Sequence, residues 1–239
     1  MKKTLLQMVQ SVLSDMDSEP VNSIQDSDEA LQVANVIQET FYNIIAARSI
    51  PEHDRLIKLT ALADSSRPTH MKYPTNLKDI RLFEYDGREV YYKDPIKFLN
   101  DMPAPTADDA VEVLDPISST KLYITNTKAP RYYTSFDDEY IICDSYDSLV
   151  DSTLQEVKTR CWGSVVPTFS LTDSYTPDID EVLFPYLLAE SKSVCFSLFK
   201  AGSDPKIEQS ARRLKSFIDR DKFKSDKSNG RPLYGRRVS

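Results

Sequence analysis

The sequence predicts an α+β protein: an antiparallel helical bundle built from N- and C-terminal helices, with an inserted β-rich domain and an extended C-terminal tail. Apolar residues recur at helical spacing near both ends, and short aromatic or β-branched runs separated by prolines fill the middle. Towards the end of the chain the apolar periodicity disappears. We therefore expect bundle helices over residues 1–54 and 177–221, a β-rich region over 55–176 and a basic tail over 222–239.

Two helices are expected at the start of the chain. The first should end before Pro20, because a proline disfavours helical geometry in the residue before it. The second should open with Asp26 as its N-cap and Glu29 completing a capping box, and Pro51 should close it. Each has an apolar stripe, which comprises Leu5, Val9, Val12, Leu13 and Met16 in the first helix and Ala30, Ala34, Ile37, Phe41, Ile44 and Ile45 in the second.

The middle of the chain predicts a small mixed or antiparallel sheet. Strand-like runs include KDIRLFEYDGREVYY, KLYITN and DEYIICDSY. Asp86 and Gly87 lie between two aromatic-rich runs and predict a tight hairpin, since glycine tolerates a positive φ. We also expect a short helix near residues 96–100 and a further strand over residues 154–166.

Two more helices are predicted after residue 177. The first carries Pro185 in its opening turn, and Gly202 should end it. Asp204 should cap the last helix, with Pro205 at its first position, and that helix should end near Asp221. Its buried face is expected to hold Ile207, Ala211, Leu214 and Ile218.

The composition argues against a catalytic, metal or cofactor site, so we do not expect an enzyme. The three cysteines and two histidines show no zinc-type spacing, and an odd number of cysteines fits a reducing cytosol. The five glycines form neither of the phosphate-binding loop motifs. No apolar run approaches the ~20 residues that a membrane span needs, and no membrane partner is expected.

One acidic stretch leaves an alternative open. Converging carboxylates could bind a divalent metal ion or act as an acid–base pair. Their spacing matches no calcium loop, which favours solvated turns and strand edges. The residues concerned are Asp137, Asp138, Glu139, Asp144, Asp147 and Asp151.

The aromatic residues and His70 also have two interpretations. Trp162 and the pairs Tyr91–Tyr92 and Tyr132–Tyr133 could form a stacking platform for bases or sugars. Aromatic residues in short strands more commonly belong to a core or a subunit contact. His70 lies in an extended, proline-flanked segment and is interpreted as a packing or turn residue.

Charge is distributed unevenly along the chain. The formal net charge is −7, yet residues 222–239 carry six cations against one carboxylate, so the remainder is strongly acidic. Such a tail can be a solubilising end, a phosphate-binding segment or a docking segment for a protein partner. Apolar residues inside the basic run favour the protein partner. The candidate docking residues are Lys222, Lys224, Lys227, Arg231, Leu233, Tyr234, Arg236 and Arg237.

Six segments, spread along most of the chain, resemble one protein family in their residue patterns and in their order. They are LLQMVQSVLSDMDSEPVNSI, DEALQVANVIQETFYNII, RPTHMKYP, YYTSFDDEYIICDSYDS, FPYLLAESKSVCF and NGRPLYGRR. On these segments the chain resembles the head-to-tail adaptor, or connector, proteins of short-tailed bacteriophages, the tail tubular protein A group.

The resemblance implies a structural virion protein that acts by binding alone. Members of this family form a ring, usually of about twelve copies, beneath the portal, and they connect the portal protein to the tail nozzle protein. Double-stranded DNA passes through the centre without specific binding during genome ejection, and an acidic wall would repel its phosphates. The resemblance also implies synthesis in the host bacterial cytoplasm, a final place at the head–tail junction and docking of the basic tail on the portal.

Two other functions remain as alternatives. The first is a nucleic-acid-binding accessory protein that uses the basic C-terminal tail, and salt-dependent DNA binding would favour it. The acidic remainder of the chain argues against it. The second is a metal-dependent hydrolase built on the acidic stretch, which would require a bound divalent metal ion.

Overall fold

A computed structural model describes residues 2–47, 50–137, 139–200 and 205–228, with the backbone alone at Pro51, Phe217 and residues 219–228. Over these residues it combines five α-helices with three β-sheets, so the α+β class is confirmed. None of the helices in the described part is both long and apolar enough to cross a membrane.

The chain divides by its contacts into two compact units. The helical unit comprises the described residues up to Glu52 and from Pro167 onward, and the β unit comprises residues 53–166. In chain order the helices are α1 (Leu5–Asp15), α2 (Asp28–Ala47), α3 (Pro95–Asn100), α4 (Phe184–Phe199) and α5 (Pro205–Ser228). The strands are β1 (Asp54–Ile57), β2 (Thr60–Ala61), β3 (His70–Lys72), β4 (Leu77–Tyr85), β5 (Arg88–Glu89), β6 (Tyr91–Tyr92), β7 (Ala110–Leu114), β8 (Lys121–Thr125), β9 (Tyr132–Thr134), β10 (Tyr140–Cys143) and β11 (Thr159–Val165).

In the helical unit the apolar faces of α1, α2 and α4 meet in one core. Thr4 caps α1: its hydroxyl accepts a hydrogen bond from the Gln7 amide, and the Gln7 side chain accepts one from the Thr4 amide. α5 packs against α4. The stripes expected on α1 and α2 are buried, and the core includes Leu5, Val9, Val12, Leu13, Ala30, Ala34, Ile37, Phe41, Leu187, Cys195 and Ile218.

Residues 167–176, which the prediction included in the β-rich region, contact the helices. The Phe169 ring lies 5.1 Å from the Phe41 ring and 4.5 Å from the Tyr175 ring, measured between centroids. The Tyr175 carbonyl accepts a hydrogen bond from the Leu5 amide at 2.7 Å, at the start of α1. These contacts hold the segment between β11 and α4 on the helical unit.

The start of α2 differs from the prediction. The Asp26 carboxylate turns back and accepts hydrogen bonds from the amides of Asn22 and Ser23, at 2.7 and 2.8 Å. The hydroxyl of Ser27 caps α2 instead, because it accepts a hydrogen bond from the Ala30 amide at 3.1 Å. The expected capping residue was therefore wrong by one position.

The end of α5 also differs, since the helix continues to Ser228 and not only to Asp221. The first part of the predicted tail is therefore helical. Lys222, Lys224 and Lys227 favour this extension, because lysine is a good helix former and its charge interacts favourably with a helix C-terminus. Residues 229–239 lie outside the described residues, as do the expected caps Gly202 and Asp204.

The β unit contains three sheets, whereas one small sheet was expected. The first has the order β1-β11-β4-β5 and is antiparallel throughout. The second has the order β2-β3-β10-β9-β6 and is mixed, because β6 and β9 are parallel. β7 and β8 form the third. The order could not be predicted because strands far apart in sequence are neighbours, as β1 and β11 are.

Local predictions within the β unit are confirmed. Asp86 and Gly87 form the two-residue loop between β4 and β5 with φ angles of 49° and 73°. The short helix is α3, and the Asp94 carboxylate caps it by accepting hydrogen bonds from the Ile96 and Lys97 amides. The further strand is β11, which is shorter than expected because Glu156–Lys158 form a short 3₁₀ helix. The buried core of the β unit includes Leu59, Met71, Phe83, Val113, Ile124, Ile141, Cys143 and Cys161.

Candidate interaction surfaces

Three carboxylates of the acidic stretch accept hydrogen bonds from backbone amides. Those of Asp137 and Asp144 each accept hydrogen bonds from two backbone amides, at distances between 2.7 and 3.0 Å. The Asp147 carboxylate accepts one from the Leu149 amide at 3.0 Å. Asp137 and Asp147 thus stabilise their own turns, whereas Asp144 binds the amides of Arg131 and Tyr132 where β9 begins.

Two further carboxylates of the stretch form ion pairs. A Glu139 oxygen lies 3.3 Å from the Lys72 ammonium, and Asp151 pairs with Lys158. Asp138 lies outside the described residues. Within the described ranges, no group of three or more histidine, cysteine, aspartate or glutamate side chains is placed to hold a metal ion.

The cysteines behave as small apolar residues, as the sequence suggested. All three are free and buried, and burial raises the pKa of Cys161 and that of Cys195 to about 12. Burial also raises the pKa of Cys143 well above its ordinary value. These thiols keep their protons at neutral pH, whereas a nucleophilic cysteine reacts as the thiolate.

The structure brings the two tyrosine pairs together. The parallel register of β6 and β9 places Tyr91 beside Tyr132 and Tyr92 beside Tyr133. The ring of Tyr133 is buried against Phe83, with 5.4 Å between centroids, so it is a core residue. Tyr91 and Tyr92 are exposed on the edge strand of the second sheet.

Two cations cover the ring of Tyr132. The Lys93 ammonium lies 4.5 Å from the ring centroid and the Arg131 guanidinium carbon lies 5.4 Å from it. Trp162, which the sequence grouped with the tyrosines, lies on β11 in the first sheet. The predicted platform is therefore split between two sheets, with Tyr91 and Tyr92 exposed on the second sheet and Trp162 exposed on the first.

The first sheet carries an apolar rib on its exposed face, which we call the ridge. Trp162 on β11 lies directly opposite Leu56 on β1 and Leu82 on β4, and all three side chains are exposed. Residues opposite one another in antiparallel strands project from the same face. Alternation of buried and exposed side chains along β1, β4 and β11 could have indicated an exposed face. The order of these strands in the sheet was needed to show that Leu56, Leu82 and Trp162 lie side by side.

Ion pairs border the ridge on the same face. Arg160 and Glu84 are opposite one another on β11 and β4, with 3.9 Å between their charged atoms. Lys58, which follows β1, pairs with Glu156 at 3.1 Å. An apolar centre surrounded by charged residues is typical of a protein–protein interface.

A second apolar surface of the β unit is concave, and we call it the groove. Its volume is about 300 Å³. The rings of Phe98 and Phe136 pack edge to face with 6.1 Å between centroids, which fixes one wall. The apolar lining consists of Leu99, Ile117, Leu122 and Phe136, and the polar lining of Asp115, Ser118, Thr120 and Asp137.

The groove carries negative charge. The Asp115 carboxylate accepts hydrogen bonds from the Ser118 hydroxyl and amide at 2.7 Å and from the Ile117 amide at 3.2 Å. Burial by itself would raise the pKa of Asp115, but these hydrogen bonds outweigh it and the pKa is lowered. Asp115 is therefore ionised at neutral pH.

The candidate docking tail is described only in part. Lys222, Lys224 and Lys227 belong to α5. The other candidate docking residues, Arg231, Leu233, Tyr234, Arg236 and Arg237, lie outside the described residues.

Comparison with known proteins gives no family. A scan against protein-family models finds no match for this chain, and a search of curated proteins also finds none. Its function is therefore inferred from the quoted sequence segments and from the ridge, the groove and the tail.

Proposed function

We propose that this chain is a structural virion protein, the head-to-tail adaptor of a short-tailed bacteriophage. It forms a ring, docks beneath the portal and connects the portal to the tail nozzle. It is not an enzyme in this proposal, and DNA passes through the centre of the ring without specific binding. Its place in the particle is the head–tail junction.

One observation supports a binding role more than any other. The β unit presents two separate apolar surfaces, the ridge and the concave groove, each bordered by charged or polar residues. A subunit of a closed ring needs two different contact surfaces, because it binds one neighbour on each side. Burial and protonated thiols also make the cysteines unsuited to nucleophilic catalysis.

The proposal includes a finer architecture. In it α1, α2, α4 and α5 form an antiparallel bundle, the β unit is inserted between α2 and α4, and the basic tail leads out of α5. Contacts of α4 with α1, α2 and α5 support the bundle. The position of residues 53–166 between α2 and α4 in the chain supports the insertion.

The charge distribution supports different roles for the two parts of the chain, with DNA passage along the acidic residues 1–221 and portal docking by the basic residues 222–239. The acidic remainder of the chain would repel DNA phosphates and keep them moving through a channel. The tail combines cations with the apolar side chains of Leu233 and Tyr234. Such a segment can fold onto a protein partner, with the apolar residues as anchors and the cations paired to carboxylates.

A tail variant tests this proposal together with imaging. We expect a chain with both Leu233→Ser and Tyr234→Ser, which keeps every cation, to bind purified portal protein at least about ten-fold more weakly. A chain that ends at Ser228 should bind at least as weakly, and Leu149→Ser should bind like the unaltered chain. Electron microscopy should place the chain as a ring at the head–tail junction of virions.

Two results would contradict the proposal. Full portal binding by the chain that ends at Ser228 would remove the role of the tail. Virions that lack this chain at the head–tail junction would remove the adaptor function itself.

Exposed aromatic residues beside cations favour the second candidate function, a nucleic-acid-binding accessory protein. Tyr91 and Tyr92 are exposed next to Lys93 and Arg131, and stacking platforms for single strands combine these residue types. If this function holds, purified protein binds DNA with an affinity that falls steeply with salt, and Tyr92→Ala weakens binding. Under the adaptor proposal, neither effect is expected.

A further inference from the structure

We propose that neighbouring copies of this chain bind head to tail through the β unit, with the ridge of one copy seated in the groove of the next. The inference rests on the proposed ring and deepens it, because it names the two surfaces that meet. The occupant of the groove is thus a second copy of this chain.

The ridge has the shape and composition of the inserted partner. Leu56 is 80 % exposed although it lies in the same strand as Ile57, which is buried in the core. Trp162 stands between Leu56 and Leu82, so a large aromatic side chain lies at the centre of the rib. Buried tryptophans surrounded by apolar neighbours commonly dominate the energy of protein contacts.

The groove has the shape and composition of the receiving partner. Its exposed apolar side chains, Leu99, Ile117 and Phe136, form the walls around the buried Leu122. A volume of about 300 Å³ is at the lower end for sites that enclose small ligands, and it is large enough for an indole ring. Filling it would remove apolar surface from water on both copies.

The charges of the two surfaces are complementary. At the rim of the ridge, the side chains of Lys58 and Arg160 are 77 % and 79 % exposed, whereas their partners Glu156 and Glu84 are only 36 % and 27 % exposed. In both pairs the cation is therefore the more exposed member. The ionisable residues that line the groove are both acidic, Asp115 and Asp137. Opposite charges at the edge of an apolar contact select the correct partner and orientation.

The same charges disfavour a symmetric pair of ridges. Two facing ridges would bring the exposed cations of both copies together, and like charges across an interface cost free energy. A ridge-to-groove contact joins two different surfaces, so each copy uses its ridge on one side and its groove on the other. Contacts of this type close into a ring or extend into a filament.

Two blocking variants of the full chain test the inference. Leu56→Asp places a carboxylate on the ridge, opposite the acidic groove. Ile117→Asp places a carboxylate among the apolar walls of the groove, where a seated ridge would bury it away from water. We expect each variant alone to associate at least about ten-fold more weakly than the unaltered chain, measured by sedimentation or light scattering.

Mixing the two variants gives the discriminating result. The Ile117→Asp chain keeps its ridge and the Leu56→Asp chain keeps its groove, so an equal mixture should form a one-to-one dimer that grows no further. Leu149→Asp is the matched control, since Leu149 is 95 % exposed in the β unit and belongs to neither surface. It should associate like the unaltered chain, and an unchanged midpoint of denaturant unfolding, followed by Trp162 fluorescence, should show that the β unit of all three variants is folded.

A covalent test is independent of affinity. In a chain with both Leu56→Cys and Ile117→Cys, mild oxidation should link successive copies by disulfides and give a ladder of oligomers on a non-reducing gel. The three native thiols should not take part, because they are buried. Either single variant should give no ladder. Normal association of either blocking variant, a mixture that stays monomeric, or an unaltered chain that does not associate at any concentration would overturn the inference.

These outcomes are separate from those of the proposed function. If virions contain the chain as a ring but the blocking variants still assemble, the inference fails and the adaptor function stands. If the mixture forms the one-to-one dimer but the chain is absent from virions, the contact stands and the adaptor function fails.

Discussion

His70 combines deep burial with ring nitrogens that have no hydrogen-bond partner among the described residues. It lies on β3, in the interior of the second sheet. Burial lowers the pKa of His70 to about 4, and the Arg67 cation acts in the same direction, while the carboxylates of Asp115 and Asp64 oppose it. The side chain is therefore a neutral packing residue at neutral pH, as the sequence suggested.

This burial predicts an acid-sensitive β unit. Between the ordinary histidine pKa of 6.5 and the folded value of about 4, the unfolded chain binds the proton and the folded chain does not. The stability is thus fully present above pH ~6.5 and falls by at most about 3 kcal/mol as the pH drops to ~4. His70→Leu should flatten this dependence, measured by denaturant unfolding with the fluorescence of Trp162, the single tryptophan.

Thr134→Val provides the control for His70→Leu. The Thr134 hydroxyl is also buried without a partner among the described residues, and it does not titrate in this range. We expect Thr134→Val to keep the pH dependence of the unaltered chain. If the free energy of unfolding of the His70→Leu chain falls with pH as steeply as that of the unaltered chain, groups other than His70 cause the acid sensitivity.

At the scale of elements, the start of α2 shows how the preceding turn determines which residue caps a helix. Ser27 and Asp26 are both good N-cap residues and are adjacent in the sequence. The choice depends on where the preceding turn places its amides, and the Asn22 and Ser23 amides bind the Asp26 carboxylate. The pattern of apolar residues could therefore predict α2, but the competition between the two caps required the geometry of the turn.

Removal of the observed cap should weaken the helical unit. Ser27→Ala removes the hydroxyl that accepts the Ala30 amide, and we expect the free energy of unfolding to fall by about 0.5–2 kcal/mol. Ser14→Ala is the matched control, because Ser14 is exposed within α1. That substitution should be neutral or slightly stabilising, since alanine is the better helix former. Equal losses for both variants in far-UV circular dichroism would contradict the assignment of the cap.

At the scale of the whole molecule, the residues that the structure describes form two hydrophobic cores. Phe41 is fully buried in the core of the helical unit, and Phe83 is almost fully buried in that of the β unit. The helices dominate the far-UV circular dichroism signal, whereas Trp162, the single tryptophan, belongs to the β unit. The two units can therefore be followed independently in one experiment.

Core truncations should act on one unit each. Phe41→Ala should lower the stability of the helical unit by about 3–5 kcal/mol and leave the midpoint of Trp162 fluorescence unchanged. Phe83→Ala should lower the stability of the β unit by a similar amount and leave the helical signal unchanged. Either variant shifting both signals equally would show that the chain unfolds as one cooperative unit.

The sequence by itself determined the local elements of this protein. The apolar spacing of α1 and α2, the Asp86-Gly87 turn and the first turn of α4 at Pro185 depend on residues a few positions apart, and the structure has them as expected. Capping preferences, turn geometry and helical periodicity act over such short distances.

Only the tertiary structure decided which strands are neighbours and therefore which side chains share a surface. Strand pairing joins residues as distant in sequence as Asp54 and Ser164. Leu56, Trp162 and Leu82 become one ridge only because β11 lies between β1 and β4, and Leu99, Ile117 and Phe136 become one groove only where their segments meet. Long-range burial of apolar surface sets these pairings, and no local preference in the sequence specifies them.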